Sequence, residues 1–187
     1  MSRIFWDTNL FIYLWEDYGA QSQAVEELRT KMLRRGDQLL TSTLTLGEIL
    51  VKPAAAGNTE LCRKYEAAIS SAALLIPLDA SVAKIYASIR NDRLLKGPDA
   101  IQLASAASAG TDLFVTNDGH LRGKQVPGIQ FIVPLDRVPI SAPVNFPYSA
   151  FATRHSQLAL TPAPFPTNRA DARFPAASLL HPPPLVR

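Results

Sequence analysis

FWDTNLFIYLWED, residues 5–17, places Asp7 directly after one apolar run and just before a second apolar-rich segment. The run RIFW, residues 3–6, has the composition of a buried β-strand, so Asp7 falls at the carboxyl end of that strand. Burial of a carboxylate without a partner disfavours its ionised form. The position therefore predicts that other polar groups of the chain converge on Asp7.

Strand-like apolar runs alternate with helical patterns from residue 3 to about residue 135. Further strands are predicted at 38–42, 73–78, 112–116 and 129–133. Helical periods fall between the strands: QAVEELRTKMLRR ends before Gly36, TLTLGEILVK is closed by Pro53, and further helices are predicted at 58–72, 81–93 and 98–110. This alternation predicts an α/β fold with a mostly parallel central sheet and helices on both of its faces.

Three further acids fall where such a fold would bring them towards Asp7. Asp118, in FVTNDGHL, follows the fourth strand, and the carboxyl ends of parallel strands lie at one edge of the sheet, where ligands bind. Asp99 follows Pro98 in the first turn of a predicted helix, where the helix dipole favours a negative charge. Glu48 lies among apolar residues in TLTLGEILV, so we expect it to point inward.

Four carboxylates brought together would raise one another's pKa values unless a positive charge compensates them. Oxygen-only ligands suit Mg²⁺ or Mn²⁺, which keep several waters and are shared between a few carboxylates and substrate phosphates. The acids therefore predict a divalent metal site.

In chain order, the segments WDTN, GEILVKP, KGPDAIQLASA and FVTND carry the four acids. With this order and spacing, the sequence resembles the PIN-domain nucleases, and specifically the VapC-type toxins of bacterial type II toxin–antitoxin pairs. The resemblance covers about residues 3–135. Each motif alone is weak, whereas four acids in order, each in its expected local context, form a fairly specific pattern.

The resemblance implies a PIN-like three-layer α/β/α fold and a metal-dependent endoribonuclease that hydrolyses RNA phosphodiester bonds. It implies that one or two Mg²⁺ or Mn²⁺ ions are held by the catalytic acids Asp7, Glu48, Asp99 and Asp118. Residues flanking these acids are expected to support them through hydroxyl or amide hydrogen bonds, namely Thr8, Asn9, Thr116 and Asn117. The implied partners are an RNA substrate, a second copy of the chain and a cognate antitoxin that contacts the first two helices, including Phe11, Leu14 and Trp15.

Each acid also has a structural alternative. Asp7 could cap the following helix, Asp99 could merely complement a helix dipole, and Asp118 could be a turn residue in NDGH. Glu48 could pair with Lys52 one helical turn later. One metal site explains the four positions together better than four separate coincidences do.

Two other functions remain open. One is a catalytically silent PIN-like module that binds RNA or protein, although the chain keeps all four matched acids. The other is a phosphohydrolase with Asp7 as a covalent nucleophile; such enzymes normally carry a second acid two positions on, where this chain has Asn9. The sequence contains no glycine-rich phosphate loop or dinucleotide-binding fingerprint, which argues against an NTPase or a dehydrogenase.

Length and composition favour one domain of about residues 1–138. The chain has 187 residues, 47% of them hydrophobic, so a core without disulfides is feasible. The single cysteine, Cys62, excludes a disulfide framework and a cysteine-rich zinc site within the chain. We expect a cytoplasmic protein without a signal peptide or membrane span, because the N-terminus is soon charged and no run approaches about 18 apolar residues.

Residues 139–187 are predicted to form a proline-rich, poorly ordered tail. Ten of the 15 prolines fall there, and the apolar residues show no sustained period. The whole net charge of +3 also arises there, since residues 1–138 contain equal numbers of basic and acidic residues. The basic character of the chain is therefore weak evidence that the domain binds nucleic acid through bulk charge. The tail could be a spacer or a binding arm.

Overall fold

The computed structural model describes residues 1–92 and 94–139. The strands are β1 (Arg3–Trp6), β2 (Gln38–Ser42), β3 (Leu74–Ile76), β4 (Thr111–Val115) and β5 (Ile129–Val133). The α-helices are α1 (Thr8–Trp15), α2 (Ala20–Arg35), α3 (Thr43–Ala55), α4 (Thr59–Ala72), α5 (Ala80–Ile89) and α6 (Gly97–Ser108). Short 3-10 turns occupy Gly119–Leu121 and Leu135–Arg137.

The five strands form one sheet in the order β3-β2-β1-β4-β5, and all four pairings are parallel. Phe5 of β1 lies opposite Leu40 on one side and Phe114 on the other. All five predicted strands are present, and the predicted α/β class with a parallel sheet is confirmed. β3 is shorter than predicted, and β4 begins one residue earlier.

Helices cover both faces of the sheet, and the alternation of side chains along each strand builds both cores. Ile4 and Trp6 are completely buried on one face, where they pack with residues of α1, α2, α3 and α4. Phe5 is buried on the other face, where it stacks on Phe114 at 5.2 Å and packs against α6, with α5 alongside. A strand buried on both faces has to be apolar throughout, which explains the unbroken run IFW in β1.

The helix ends follow local sequence signals, with two exceptions. The helix predicted at 81–93 ends earlier, at Ile89 of α5. Gly36 ends α2 in the left-handed conformation, with φ of 70°, as the glycine stop predicts. Pro53 does not close α3, which continues to Ala55. Proline removes only its own backbone donor, and the turn beyond it still forms, since the Ala56 N–H donates to the Lys52 carbonyl at 3.1 Å.

The predicted antitoxin-contact residues on α1 differ in their exposure. Phe11 is completely buried, so the expected contact between Phe11 and an antitoxin is wrong; Leu14 and Trp15 remain partly exposed. Within the described residues, no helix is long and apolar enough to cross a membrane. The predicted tail lies outside the described residues apart from Pro139.

Candidate active site

Asp7 follows β1, the central strand, from which the chain builds the sheet first on one side and then on the other. From β1 the chain continues to β2 on one side, and it later crosses to β4 on the other side. The carboxyl ends of two adjacent strands therefore diverge on either side of Asp7, which is where open α/β sheets bind ligands. The Asp7 N–H donates to the carbonyl of Val115, the last residue of β4, at 3.1 Å, so the residues after β4 lie beside Asp7.

Both carboxylate oxygens of Asp7 accept hydrogen bonds. Oδ1 accepts from the Thr8 backbone N–H at 2.8 Å, which caps α1. Oδ2 accepts from the Thr116 hydroxyl at 2.6 Å and from Asn9 Nδ2 at 2.9 Å. Thr116 Oγ1 in turn accepts from the Asp118 N–H at 3.0 Å, which ties the fourth acidic segment to the first. Asp7 is therefore held in one orientation.

Glu48 reaches the same edge of the sheet from α3. The Thr8 hydroxyl donates a short hydrogen bond to Glu48 Oε2. Thr8 follows Asp7 directly, so this bond fixes the position of Glu48 relative to Asp7. Lys52, the alternative partner considered for Glu48, forms an ion pair with Glu16 at 3.0 Å.

Gln102 of α6 lies within hydrogen-bonding distance of the residues that hold Glu48, and it is 2% exposed. Its Nε2 lies within hydrogen-bonding distance of the hydroxyls of Thr8 (3.0 Å) and Thr45 (2.9 Å), and 3.5 Å from Glu48 Oε2. Its Oε1 accepts from the Ser42 hydroxyl at 2.7 Å. Gln102 was not among the residues predicted to support the acids. The signal was available, because a polar side chain in the apolar run AIQLASAA has to find partners once the helix is buried.

Two acids at this edge of the sheet, Asp7 and Asp99, have raised pKa values. The pKa of Asp7 is raised to about 6, mainly by burial and further by the charges of Glu48 and Asp99, against the opposing effect of the Thr116 and Thr8 hydrogen bonds. The pKa of Asp99 is also raised, by burial first and then by Asp118. The charges of Glu48 and Asp99 thus act on Asp7, and the charge of Asp118 acts on Asp99. We call these four residues the acidic cluster.

The donor atoms of this cluster are oxygens, which suit a hard cation such as Mg²⁺ or Mn²⁺. Within residues 1–92 and 94–139, no three acidic, histidine or cysteine side chains already have the geometry to hold one ion. Mg²⁺ commonly keeps several waters and uses one or two carboxylates together with substrate phosphates. The residues present therefore fit a hydrated divalent cation better than a closed protein cage.

The structural alternatives for the acids hold in part. Asp7 does cap α1, and Asp118 accepts the His120 N–H at 2.8 Å in a tight turn. Neither contact uses all of the acceptor capacity of the carboxylate, so capping and participation in the cluster are compatible. Of the expected supporting residues, Thr8, Asn9 and Thr116 bond directly to the acids. Asn117 instead accepts the Leu135 N–H at 3.1 Å and so anchors the segment after β5.

Solved structures that are similar to this chain include toxin–antitoxin complexes. VapBC2 from Rickettsia felis, bound to a DNA fragment from its promoter, has a TM-score of 0.54 at 16% identity, covering 71% of this chain and 98% of that chain. A Klebsiella pneumoniae toxin–antitoxin complex has a TM-score of 0.48 at 22% identity, with coverages of 70% and 99%. VapBC-5 from Mycobacterium tuberculosis has a TM-score of 0.46 at 19% identity, with coverages of 72% and 99%.

No curated protein shows significant sequence similarity to the chain. The PIN domain family model matches residues 4–125, a range that contains all four acids of the cluster and, apart from Arg3 of β1, four of the five strands. The match spans well over half of the 187 residues. The chain therefore belongs to the PIN-domain family, a family of nucleases.

Proposed function

We propose that this PIN-domain protein is a divalent-metal-dependent endoribonuclease and the toxin of a bacterial toxin–antitoxin pair. The observation that carries the proposal is the PIN-domain match over residues 4–125, with the buried carboxylate of Asp7 held by Thr116 and Asn9 at the carboxyl edge of the sheet and its pKa raised by burial and by two neighbouring acids. A site that keeps several acids together at such a cost is typical of a functional site, and a divalent cation relieves the repulsion.

In the proposed site, Asp7, Glu48, Asp99 and Asp118 hold the cation. When bound, Mg²⁺ or Mn²⁺ would neutralise phosphate charge and lower the pKa of a coordinated water. Asp7 can present a carboxylate in a fixed direction because Thr116 and Asn9 hold its Oδ2. The bond from Thr8 does the same for Glu48.

The proposed reaction is hydrolysis of an RNA phosphodiester by water, which leaves 5′-phosphate and 3′-hydroxyl ends. Attack by the ribose 2′-hydroxyl would instead leave a 2′,3′-cyclic phosphate, so the end groups report the mechanism. The hydrogen bonds around Asp7 argue against the alternative in which Asp7 is a covalent nucleophile. Asn9 stands where such enzymes carry a second acid, and its amide donates to Asp7.

The test is cleavage of total RNA by the purified full chain in Mg²⁺, Mn²⁺ or EDTA, with Asp7→Asn and Asp99→Asn alongside. Glu66→Gln, an exposed acid on α4, is the matched control. We expect wild type and Glu66→Gln to give discrete fragments with 5′-phosphates in either metal and no fragments in EDTA. Asp7→Asn and Asp99→Asn should give no fragments in any condition. Equal activity of all folded proteins in every condition would overturn the proposal and favour a binding module.

We further propose that a small antitoxin protein restrains this activity and that the toxin forms a homodimer. The support is the sequence resemblance to VapC-type toxins. Tandem purification from the native host, followed by mass spectrometry and light scattering, tests both statements. We expect a small partner encoded next to the toxin gene and a mass of twice the chain after its removal. A monomer without a partner would contradict both.

A further inference from the structure

A groove of about 450 Å³ is lined in part by Asn117, the residue that precedes Asp118 of the acidic cluster. Its walls come from the end of α1, the start of α2 and the segments that follow β4 and β5, including Tyr13, Gln21, Asn117, Arg122 and Asp136. Asn117 joins the groove to the cluster, because it precedes Asp118 and its N–H approaches Asn9 Oδ1 at 3.5 Å. The groove therefore begins one residue from Asp118 of the acidic cluster.

Arg122 has a defined place at the groove. It directly follows the 3-10 turn Gly119–Leu121, which the Asp118 side chain caps and which Leu121 anchors with a buried side chain. The Arg122 N–H closes this turn by donating to the Gly119 carbonyl at 3.3 Å. Arg122 is exposed, and among the described residues it forms no ion pair. An exposed cation thus lies four residues beyond Asp118, where an anion can reach it.

The other groove residues supply contacts for a nucleobase. Tyr13 is partly buried, and its ring is held at 5.0 Å from Tyr18 in an edge-on contact, so it presents a ring of restricted orientation. Gln21 is exposed in the first turn of α2 and offers both a donor and an acceptor. The carboxylate of Asp136 disfavours phosphate and can accept from an exocyclic amino group.

We propose that this groove binds one nucleotide of single-stranded RNA next to the scissile phosphate, with a backbone phosphate on Arg122 and a base against Tyr13. The volume falls within the range of small-ligand sites. A cation for the phosphate and an aromatic side chain for the base are the two elements with which proteins bind single strands. This inference rests on the proposed function for the choice of RNA as the ligand and for the position of the scissile phosphate at the acids.

The test measures binding separately from cleavage. Fluorescence anisotropy of a labelled single-stranded oligoribonucleotide of mixed sequence is recorded in EDTA for wild type, Arg122→Ala, Arg122→Lys and Arg34→Ala. Arg34 is the matched control because it is also exposed but lies in the last turn of α2, 13 residues beyond Gln21 and about 20 Å along the helix. Urea unfolding of each variant shows whether the fold is kept.

We expect Arg122→Ala to weaken binding about five- to tenfold and to lower the slope of log K against log salt by about 0.7, the effect of one phosphate contact on a single strand. Arg122→Lys should recover part of the affinity and Arg34→Ala should match wild type. With Mg²⁺ present, the loss should appear in KM rather than in kcat.

Different failures have different meanings. Arg122-dependent binding without any cleavage would overturn the nuclease proposal and support the groove. Cleavage with unchanged oligonucleotide affinity in Arg122→Ala would overturn the groove and leave the nuclease. A wild type that does not bind the oligonucleotide, or an Arg122→Ala protein that loses only a co-purified protein partner, would also overturn the groove.

Discussion

Replacing Asp7 by Asn should stabilise the metal-free protein at neutral and alkaline pH, although it removes a proposed catalytic residue. The pKa of Asp7 is raised from 3.8 to about 6. The folded state therefore binds the proton more tightly than the unfolded state does. The stability associated with the neutral carboxyl is fully present below about pH 3.8 and is lost as the pH rises through about 6.

The size of the effect follows from that shift. A difference of about two pKa units corresponds to about 3 kcal/mol of stability that wild type lacks at pH 8. Asn keeps an acceptor for the Thr8 N–H but replaces the oxygen that accepts from Thr116 and Asn9, and the loss of these two hydrogen bonds costs about 2 kcal/mol. We therefore expect Asp7→Asn to be about 1 kcal/mol more stable than wild type at pH 8 and less stable than wild type at pH 4.

Urea unfolding in EDTA at several values between about pH 4 and pH 8 measures this difference. Carboxylates far from Asp7 contribute equally to both proteins and cancel in the comparison. An exposed control, Glu66→Gln, should follow wild type at every pH. A difference between Asp7→Asn and wild type that does not change with pH would refute the argument that burial and neighbouring acids strain the Asp7 carboxylate.

Three further predictions concern the metal, the buried polar network and one close approach. Saturating Mg²⁺ should raise the Tm of wild type in thermal scans but not that of Asp99→Asn; equal shifts would place the ion elsewhere. Gln102→Leu should lower the free energy of unfolding in urea by about 2–4 kcal/mol, because it leaves buried hydroxyls without their partner. The control Ser105→Ala removes a buried hydroxyl that has no hydrogen-bond partner among the described residues, so it should be neutral or slightly stabilising. Similar losses in the two variants would contradict this prediction. Gly128→Ala should destabilise the protein by about 3 kcal/mol or more, since φ is +96° and the new Cβ would lie 2.6 Å from a backbone carbonyl oxygen of α6. The control Gly57→Ala, with φ of +66° and open space around the new Cβ, should cost about 1 kcal/mol. Comparable losses in urea unfolding would refute the steric argument.

Much of the fold was predictable because its signals are local. The apolar run before Asp7, the glycine after α2 and the proline before Asp99 each predict an element from neighbouring residues. One exception is Pro53, which lies inside α3. A proline near a helix end removes one hydrogen bond, and whether the chain continues depends on the packing of the last turn, which is not written in the local pattern.

The sequence by itself determined the order of strands and helices along the chain and the parallel sheet, because hydrophobic period and strand ends depend on residues close together in the chain. It also predicted the four acids as residues of one site. Only the tertiary structure decided how the acids are held and charged. The bond from Thr8 to Glu48 spans 40 residues and that from Gln102 to Thr8 spans 94. The groove beside Asn117 likewise joins segments from the start and the end of the domain. Such contacts, and the burial that raises the pKa of Asp7, exist only once the sheet has brought distant segments to one edge.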